Sequence, residues 1–414
     1  MTLGILRWMN KTSIPSGGPF GPLSPYINAY LAQIKAQGYA VGSIYEQVCA
    51  LKMLGRWLKR TGRGVRDLDE AVTQYFVRRV LKGGYTKNAG ASTLRRLLAM
   101  LRRIGATPAP KAARLSPSEQ LTCDYERFLF DGRNLAPQSV VHLRLFASRF
   151  LSEKFSAGPL HLSKLSAPDV TTFVQQHARQ HGSSHAKKLV SAMRSFLRYL
   201  HYKGLVKTDL SLVVPKVACW SLSTLPKHLS AAQVRQVLHH CGRSTPLGRR
   251  NYAILLLLAR LGLRAGEVVR LNLEDIDWEN ARITVCGKGG IWAQLPLPAD
   301  VAQAIARYLH RDRPRCTCRR VFIRDHAPIG GFQRSISIAK IVKCALAKAG
   351  VVSARKGAHL LRHSLATDML HRGASLDEIG EVLRHKSPDT TAIYAKVDLR
   401  SLQALALPWP GGAR

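Results

Sequence analysis

The stretch HLLRHSLATDMLHRGASLDEIGEVLRHKSPDTTAIYAKVD (residues 359–398) lays out a helix, a helical hairpin and a short final helix in one run. Positions i, i+3 and i+4 of a helix share a face, so His359, Arg362 and His363 are predicted to project together. Leu361, Leu365 and Met369 continue an adjacent apolar stripe. Ser375-Leu-Asp-Glu378 reads as a capping box that starts a second helix ending near Leu383. Arg384 and His385 follow, and Ser387-Pro388-Asp389 resembles a cap with proline at the first helical position. Tyr394 comes nine residues after His385. Two histidines four apart invite a zinc site. The hydrolase form of that motif needs a glutamate beside the first histidine, however, and Leu360 stands there. Taken alone, the segment reads as a solvated basic helix face.

Upstream, RLGLRAGE (260–267) sets Arg264 just past a glycine stop at Gly262, at the start of a helix through Glu267 and Val268. A long helix over Arg249–Leu261 precedes it. Between about Leu273 and Leu297, ARITVC and IWAQLPL flank GKGG, two β-prone runs around a Gly-rich turn that predict a hairpin with Lys288 at its tip. Ser230 is a plausible cap for the first helix of this region. Each of these residues has an ordinary reading by itself. Arg264 pairs with Glu267, Lys288 is a solvated turn lysine, Tyr394 packs half-buried and His385 caps a helix.

Four separated motifs in this order, RLGLRAGE, VCGKGGIW, HLLRH and LRHKSPDTTAIYAKVD, resemble the tyrosine recombinase (phage integrase) family over roughly 229–400. LPKHLSAAQV (225–234) resembles that family's usual junction, and the helical block before it is similar to the family's core-binding domain. One departure is Arg384, where the family commonly has glycine before the histidine. The resemblance implies a site-specific recombinase or integrase that cleaves and rejoins DNA through a covalent 3′-phosphotyrosyl bond, releasing a 5′-hydroxyl. It implies Tyr394 as nucleophile and Arg264 and Arg362 on the non-bridging phosphate oxygens. Lys288 would be the general acid at the leaving oxygen, and His359 a general base or phosphate contact. His385 would donate to a phosphate oxygen, and Glu267 would orient Arg264 or His359. His363 is left as structural. It also implies double-stranded DNA as partner, a homo-tetramer on that DNA, and cytoplasmic, nucleoid-associated work on a mobile element.

The chemistry is coherent. A phenol with a pKa near 10 is almost wholly protonated at neutral pH and needs a base and a positive field to attack phosphorus. Planar, permanently charged guanidinium groups match phosphate oxygens. No clustered carboxylates suggest a magnesium site and no GxxxxGK[ST] loop is present, so neither a metal nor another cofactor is expected.

The rest of the 414-residue chain agrees. Lys and Arg number 63 against 25 Asp and Glu, a net charge of +38, which calls for a polyanion. The charge is spread along the chain rather than gathered in one amphipathic helix, which favours nucleic acid over a membrane surface. The apolar run Ala253–Leu263 is too short to span a bilayer. The N-terminus lacks an apolar signal stretch, and eight scattered cysteines suggest a reducing compartment. Cys316-Thr-Cys318 supplies only two of the ligands a zinc site needs.

The expected organisation is an irregular Gly/Pro/Ser-rich lead-in (1–25), a helical module (26–106), a core-binding helical module (117–206), a linker (207–228), a catalytic domain (229–400) and a tail (401–414). The fold class expected is mainly α, two N-terminal helical DNA-binding modules before a mostly helical catalytic domain with a small antiparallel sheet. Gly38–Leu58 parallels Gly132–Leu151 with one residue of slippage, so the two modules read as related. Their basic last helices, Leu94–Ile104 and Lys187–Lys203, are the candidate DNA contacts. The first module is arm-like or core-binding-like. Alternatives of the same fold are a type IB-like topoisomerase and a catalytically silent DNA-binding protein.

Overall fold

The computed structural model describes residues 19–79, 87–110, 115–155, 159–180, 182–216, 227–287 and 289–397. The described residues within 1–110 and 225–414 form one compact unit, and those within 111–224 form another. The architecture is mainly α with one small antiparallel sheet, as the sequence pattern predicts.

Helices α1 (Ser24–Ala36), α2 (Val41–Arg60), α3 (Glu70–Arg79) and α4 (Lys87–Arg103) open the first unit. The stripes Ile27/Tyr30/Leu31/Ile34 and Ile44/Val48/Leu51/Leu54/Leu58 are buried in one core. Packing begins earlier than the lead-in composition suggests, since Phe20 and Leu23 are fully buried. The physical reason is Gly55 in α2. A Cβ there would meet the Phe20 carbonyl oxygen at 1.9 Å, so only glycine lets the lead-in lie against the helix.

The second unit holds α5 (Pro117–Arg127), α6 (Pro137–Lys154), α7 (Ala167–Arg179) and α8 (Ser183–Tyr202). Edge-on rings knit its core, Tyr125 to Phe196 at 5.1 Å and Phe150 to Phe173 at 5.0 Å between centroids. In both units the long second helix packs on the basic last one, α2 on α4 and α6 on α8. The stretch after α8 departs from an extended linker. Val206, Leu210 and Val214 are buried in this core, whereas Leu205 and Leu212 of the same stretch are exposed, and Arg194 donates to the Val214 carbonyl at 2.9 Å. Residues 217–226 of the expected linker and the 401–414 tail lie outside the described residues.

The remainder of the first unit centres on α10 (Pro246–Arg260), preceded by α9 (Ala231–His239), which Ser230 caps by accepting from the Gln233 N–H. Ala253 through Leu258 are all buried, and α10 is covered by α12 (Ala299–Arg311) and α14 (Ala358–His371). After the short α11 (Ala265–Arg270), strands β1 (Ile276–Asp277), β2 (Arg282–Cys286) and β3 (Trp292–Pro296) form an antiparallel sheet in the order β1-β2-β3. Cys286 pairs with Trp292, and the Gly287 N–H donates to the Ile291 carbonyl at 2.7 Å to close the hairpin. Helix α13 (Ile336–Lys348) precedes α14. Then come α15 (Leu376–Leu383), the four-residue α16 (Pro388–Thr391) and a 3₁₀ turn (Ala392–Val397). The Ser375 capping box and the Ser387 cap both form.

Gly262 ends α10 with φ +57°, and its carbonyl accepts from Arg362. A Cβ there would strain the left-handed backbone and meet Leu383 Cδ2 at 2.7 Å. Gly262→Ala is expected to lower unfolding free energy by about 1–2 kcal/mol. Urea denaturation checks this, and an unchanged midpoint would refute the constraint.

Candidate functional site

The site is built where the end of α10, the hairpin, α14 and the α15–α16 turn meet. Arg264 is the residue before α11, and its guanidinium Nη1 donates to Glu267 Oε1 at 2.8 Å. The Arg264 backbone N–H donates to Glu267 Oε2 at 2.9 Å. Glu267 is buried, and the Arg384 Nη2 also donates to its Oε2 at 3.1 Å. Arg264 reaches further, donating to the Arg384 carbonyl at 3.1 Å. Arg362 is only 4% exposed rather than lying on a solvated face, and it donates to the Gly262 and Leu383 carbonyls. Burial and the nearby guanidinium groups of Arg264 and Arg384 push its pKa down to about 9, which still leaves it charged at neutral pH. Arg264 and Arg384 thus share one carboxylate, with Arg362 close by, a local surplus of positive charge. Beside them is a cavity of about 680 Å³, lined by Arg264, Arg384, His385, Lys386 and Thr390 and by hairpin residues including Val285 and Ile291.

Tyr394 lies in the 3₁₀ turn, 1% exposed, against Ala366, Leu370, Ile379 and Leu383. Its hydroxyl is 2.7 Å from His363 Nδ1. Burial pushes the phenol up to about 12, opposed by Arg362. Burial, then the charges of its neighbours, pushes His363 down to about 4, so the imidazole is neutral at physiological pH, and its Nδ1 shares a hydrogen bond with the phenol oxygen. The ring of His385 lies parallel to that of Tyr394, with centroids 6.5 Å apart, and its Nδ1 is 2.7 Å from the buried Thr391 hydroxyl. Burial and then Arg362 and Arg264 hold His385 at about 4 as well. His359 is 6.5 Å from His363 between ring centroids, and burial with the adjacent arginines lowers its pKa too. Arg264, Glu267, His359, Arg362, His385 and Tyr394 are therefore brought together, and Lys288 lies outside the described residues. Among the described residues no three His, Cys, Asp or Glu side chains gather to hold a metal ion, and no helix is long and apolar enough to cross a membrane.

A profile of the phage integrase family matches residues 227–400. The integrase/recombinase y4rA of Sinorhizobium fredii (strain NBRC 101917 / NGR234) is 45% identical over 410 residues, 98% of this chain and 99% of that protein. The chain belongs to the tyrosine recombinase (phage integrase) family. Tyrosine recombinase XerD of Listeria monocytogenes serotype 4b (strain F2365) is 31% identical over 66% of this chain and 93% of that protein. The fold is that of XerH site-specific recombinase in its post-cleavage complex with palindromic difH substrate. The TM-score is 0.56 at 19% identity, covering 82% of this chain and 94% of that one. It is likewise that of a lambda integrase (75–356) dimer bound to a COC′ core site, with a TM-score of 0.51 at 15% identity over 66% and 94%.

Two residues of this recombinase site escape sequence reasoning. His363 shares the His359 face, but nothing in the helix pattern says that its partner is Tyr394, 31 residues on. Arg384 occupies a position where the family pattern leads one to expect only a glycine turn. The histidine pKa values have a consequence for stability. Unfolded histidine ionises near 6.5, whereas His363 and His385 do so near 4 in the folded recombinase. Between those values the unfolded chain binds protons that the folded chain refuses. Stability is therefore full above about pH 6.5 and falls as pH drops toward 4. Melting temperature measured across that window is expected to decline, with a shallower decline in His363→Asn. Equal slopes would contradict the assignment.

Proposed function

We propose that Tyr394 is the nucleophile of this tyrosine site-specific recombinase, attacking a DNA phosphodiester to form a 3′-phosphotyrosyl bond and free a 5′-hydroxyl. The observation that carries the reading is the Tyr394 hydroxyl, held by an imidazole beside a guanidinium cluster with one carboxylate to balance it. Arg264 and Arg362 hold the non-bridging oxygens as charge builds on them, a role whose removal typically costs about 10²–10³ in rate. His385 donates to a phosphate oxygen. His359 serves as general base or as a further phosphate contact, and Lys288 protonates the leaving 5′ oxygen from the hairpin tip. Glu267 fixes the Arg264 fork. The bond energy is kept in the phosphotyrosyl link, so religation by a 5′-hydroxyl needs no nucleotide cofactor.

Double-stranded DNA is the substrate in this reading, clamped between the helical modules (26–106 and 117–206, joined through 207–228) and the catalytic domain (229–400). Of the two basic helices, α8 is the better supported contact. A cavity of about 620 Å³ beside it is lined by Arg133, Lys187, Arg194, Arg198 and Lys216 with no carboxylate. Several cations of α4 are engaged within the fold, Arg102 with Glu70 at 2.6 Å and Arg96 over the Tyr39 ring. A homo-tetramer on DNA, in the cytoplasm at the nucleoid, completes the proposal, since exchanging two duplexes needs several active sites. A relative named tyrosine recombinase that is 31% identical over 93% of its length speaks against the topoisomerase alternative.

The test is a suicide substrate, a nicked duplex that traps the covalent complex. Wild type is expected to give a denaturant-resistant protein–DNA adduct. Tyr394→Phe is expected to give none while binding the duplex within about twofold of wild type. An adduct of undiminished yield from that variant would remove Tyr394 from the role.

A further inference from the structure

We propose that Arg384 is a positioning residue for Arg264, clamping the far oxygen of Glu267 so that Arg264 meets the scissile phosphate correctly aimed and with its charge uncancelled. The inference rests on the catalytic reading above and extends it to a residue with no assigned part in it.

The first observation is conformational. Helix α15 ends in a Schellman turn, in which the Arg384 N–H donates to the Glu381 carbonyl and the His385 N–H to the Gly380 carbonyl, both at 2.9 Å. The residue that makes such a turn adopts left-handed backbone, and Arg384 does so at φ +56°, ψ +52°. Glycine takes that conformation without the Cβ clash an arginine suffers. If the turn were all the position supplied, a side chain there would only add strain. Its presence therefore points to work done by the guanidinium.

The second observation is what that guanidinium touches. Its Nη2 donates to Glu267 Oε2 at 3.1 Å, while Arg264 holds Glu267 Oε1 at 2.8 Å. Glu267 is 2% exposed, so its charge is answered by protein groups rather than water. With Arg264 as its one cationic partner, the carboxylate would nearly cancel the guanidinium meant for phosphate. Shared between two arginines, it leaves a net positive charge at the wall of the cavity that both residues line. The same turn also supplies the acceptors that aim the two phosphate-binding arginines, since the Leu383 carbonyl takes Arg362 and the Arg384 carbonyl takes Arg264 at 3.1 Å. The backbone contacts survive any substitution at 384 that keeps the turn. The guanidinium clamp does not, and this makes the side chain separable from the turn.

The experiment compares wild type, Arg384→Gly and Arg384→Lys on the nicked suicide duplex, with duplex affinity and melting temperature measured in parallel. Glycine keeps the turn and relieves its strain, so the melting temperature is expected to hold. Losing an orienting partner typically costs about 10–100-fold in activity. Arg384→Gly is therefore expected to form the Tyr394 adduct at least about tenfold more slowly at saturating DNA, with affinity within about twofold of wild type. Arg384→Lys, which keeps a cation near Glu267, is expected to recover part of the rate. The inference is overturned if Arg384→Gly forms adduct at the wild-type rate. It is also overturned if the loss is in affinity with the saturated rate unchanged, or if lysine recovers nothing although all three proteins melt alike. Failure of the underlying catalytic reading would look different, because wild type itself would then form no Tyr394-dependent adduct.

Discussion

A carboxylate buried among guanidinium groups is the constraint around which the catalytic region is arranged. Glu267 is sealed from water by the start of α11 and faces Arg264 and Arg384 at 2.8 and 3.1 Å. Leaving such a buried charge with no partner typically costs about 3–5 kcal/mol, because it cannot be solvated, whereas loss of one of the two arginines leaves Glu267 paired with the other. The arginines are therefore held by fold stability as well as by any ligand. Their remaining donors are aimed by backbone carbonyls of two chain turns, Gly262 at the end of α10 and Leu383–Arg384 at the end of α15. Both turns use left-handed backbone, which directs a carbonyl inward where a continuing helix would have bonded it.

Surplus positive charge has a second effect, on the imidazoles. His359, His363 and His385 stand near two or three arginines and are partly removed from water, and both influences oppose protonation. The rings are neutral at physiological pH, and each can accept as well as donate. Neutral His363 shares a hydrogen bond with the Tyr394 hydroxyl, which stays protonated because burial raises its pKa. An entering phosphate would add negative charge to the cluster and make every one of these rings more basic. The proton affinities of the site are thus coupled to occupancy of the anion position.

Much of this was legible from residues alone. The hairpin follows from two β-prone runs around GKGG, and the cap at Ser230 and the capping box at Ser375 follow from residue type and spacing, because these are local signals set within a few residues. The four ordered motifs indicated the family and hence which polar residues converge. Long-range pairings were not legible. That Arg384 would lie on Glu267, 117 positions away, depends on how the turn after α15 comes to lie beside the start of α11, which no local pattern encodes. The glycine expectation at 384 hid the side chain's partner while correctly indicating the backbone conformation. The lead-in and linker were misjudged for one reason. Gly, Pro and Ser in the lead-in, and prolines with little periodicity in the linker, read as irregular, yet Phe20, Leu23, Leu210 and Val214 each carry enough apolar surface to be drawn into a core.

The position of Tyr394 sets a mechanical requirement. Its ring is packed against α14 and α15, and it does not line the cavity that Arg264 and His385 border. For the phenol oxygen to come in line with a phosphorus held there, the 3₁₀ turn Ala392–Val397 has to move relative to α14, breaking the His363 hydrogen bond. The chain between His385 and Val397 is suited to such a change, being made of a four-residue helix and a 3₁₀ turn, with few cooperative hydrogen bonds to lose. Its upstream end is the Schellman turn whose carbonyls grip Arg264 and Arg362. The turn at Leu383 and Arg384 therefore does two things at once: its carbonyls aim Arg264 and Arg362, and it begins the segment that carries Tyr394.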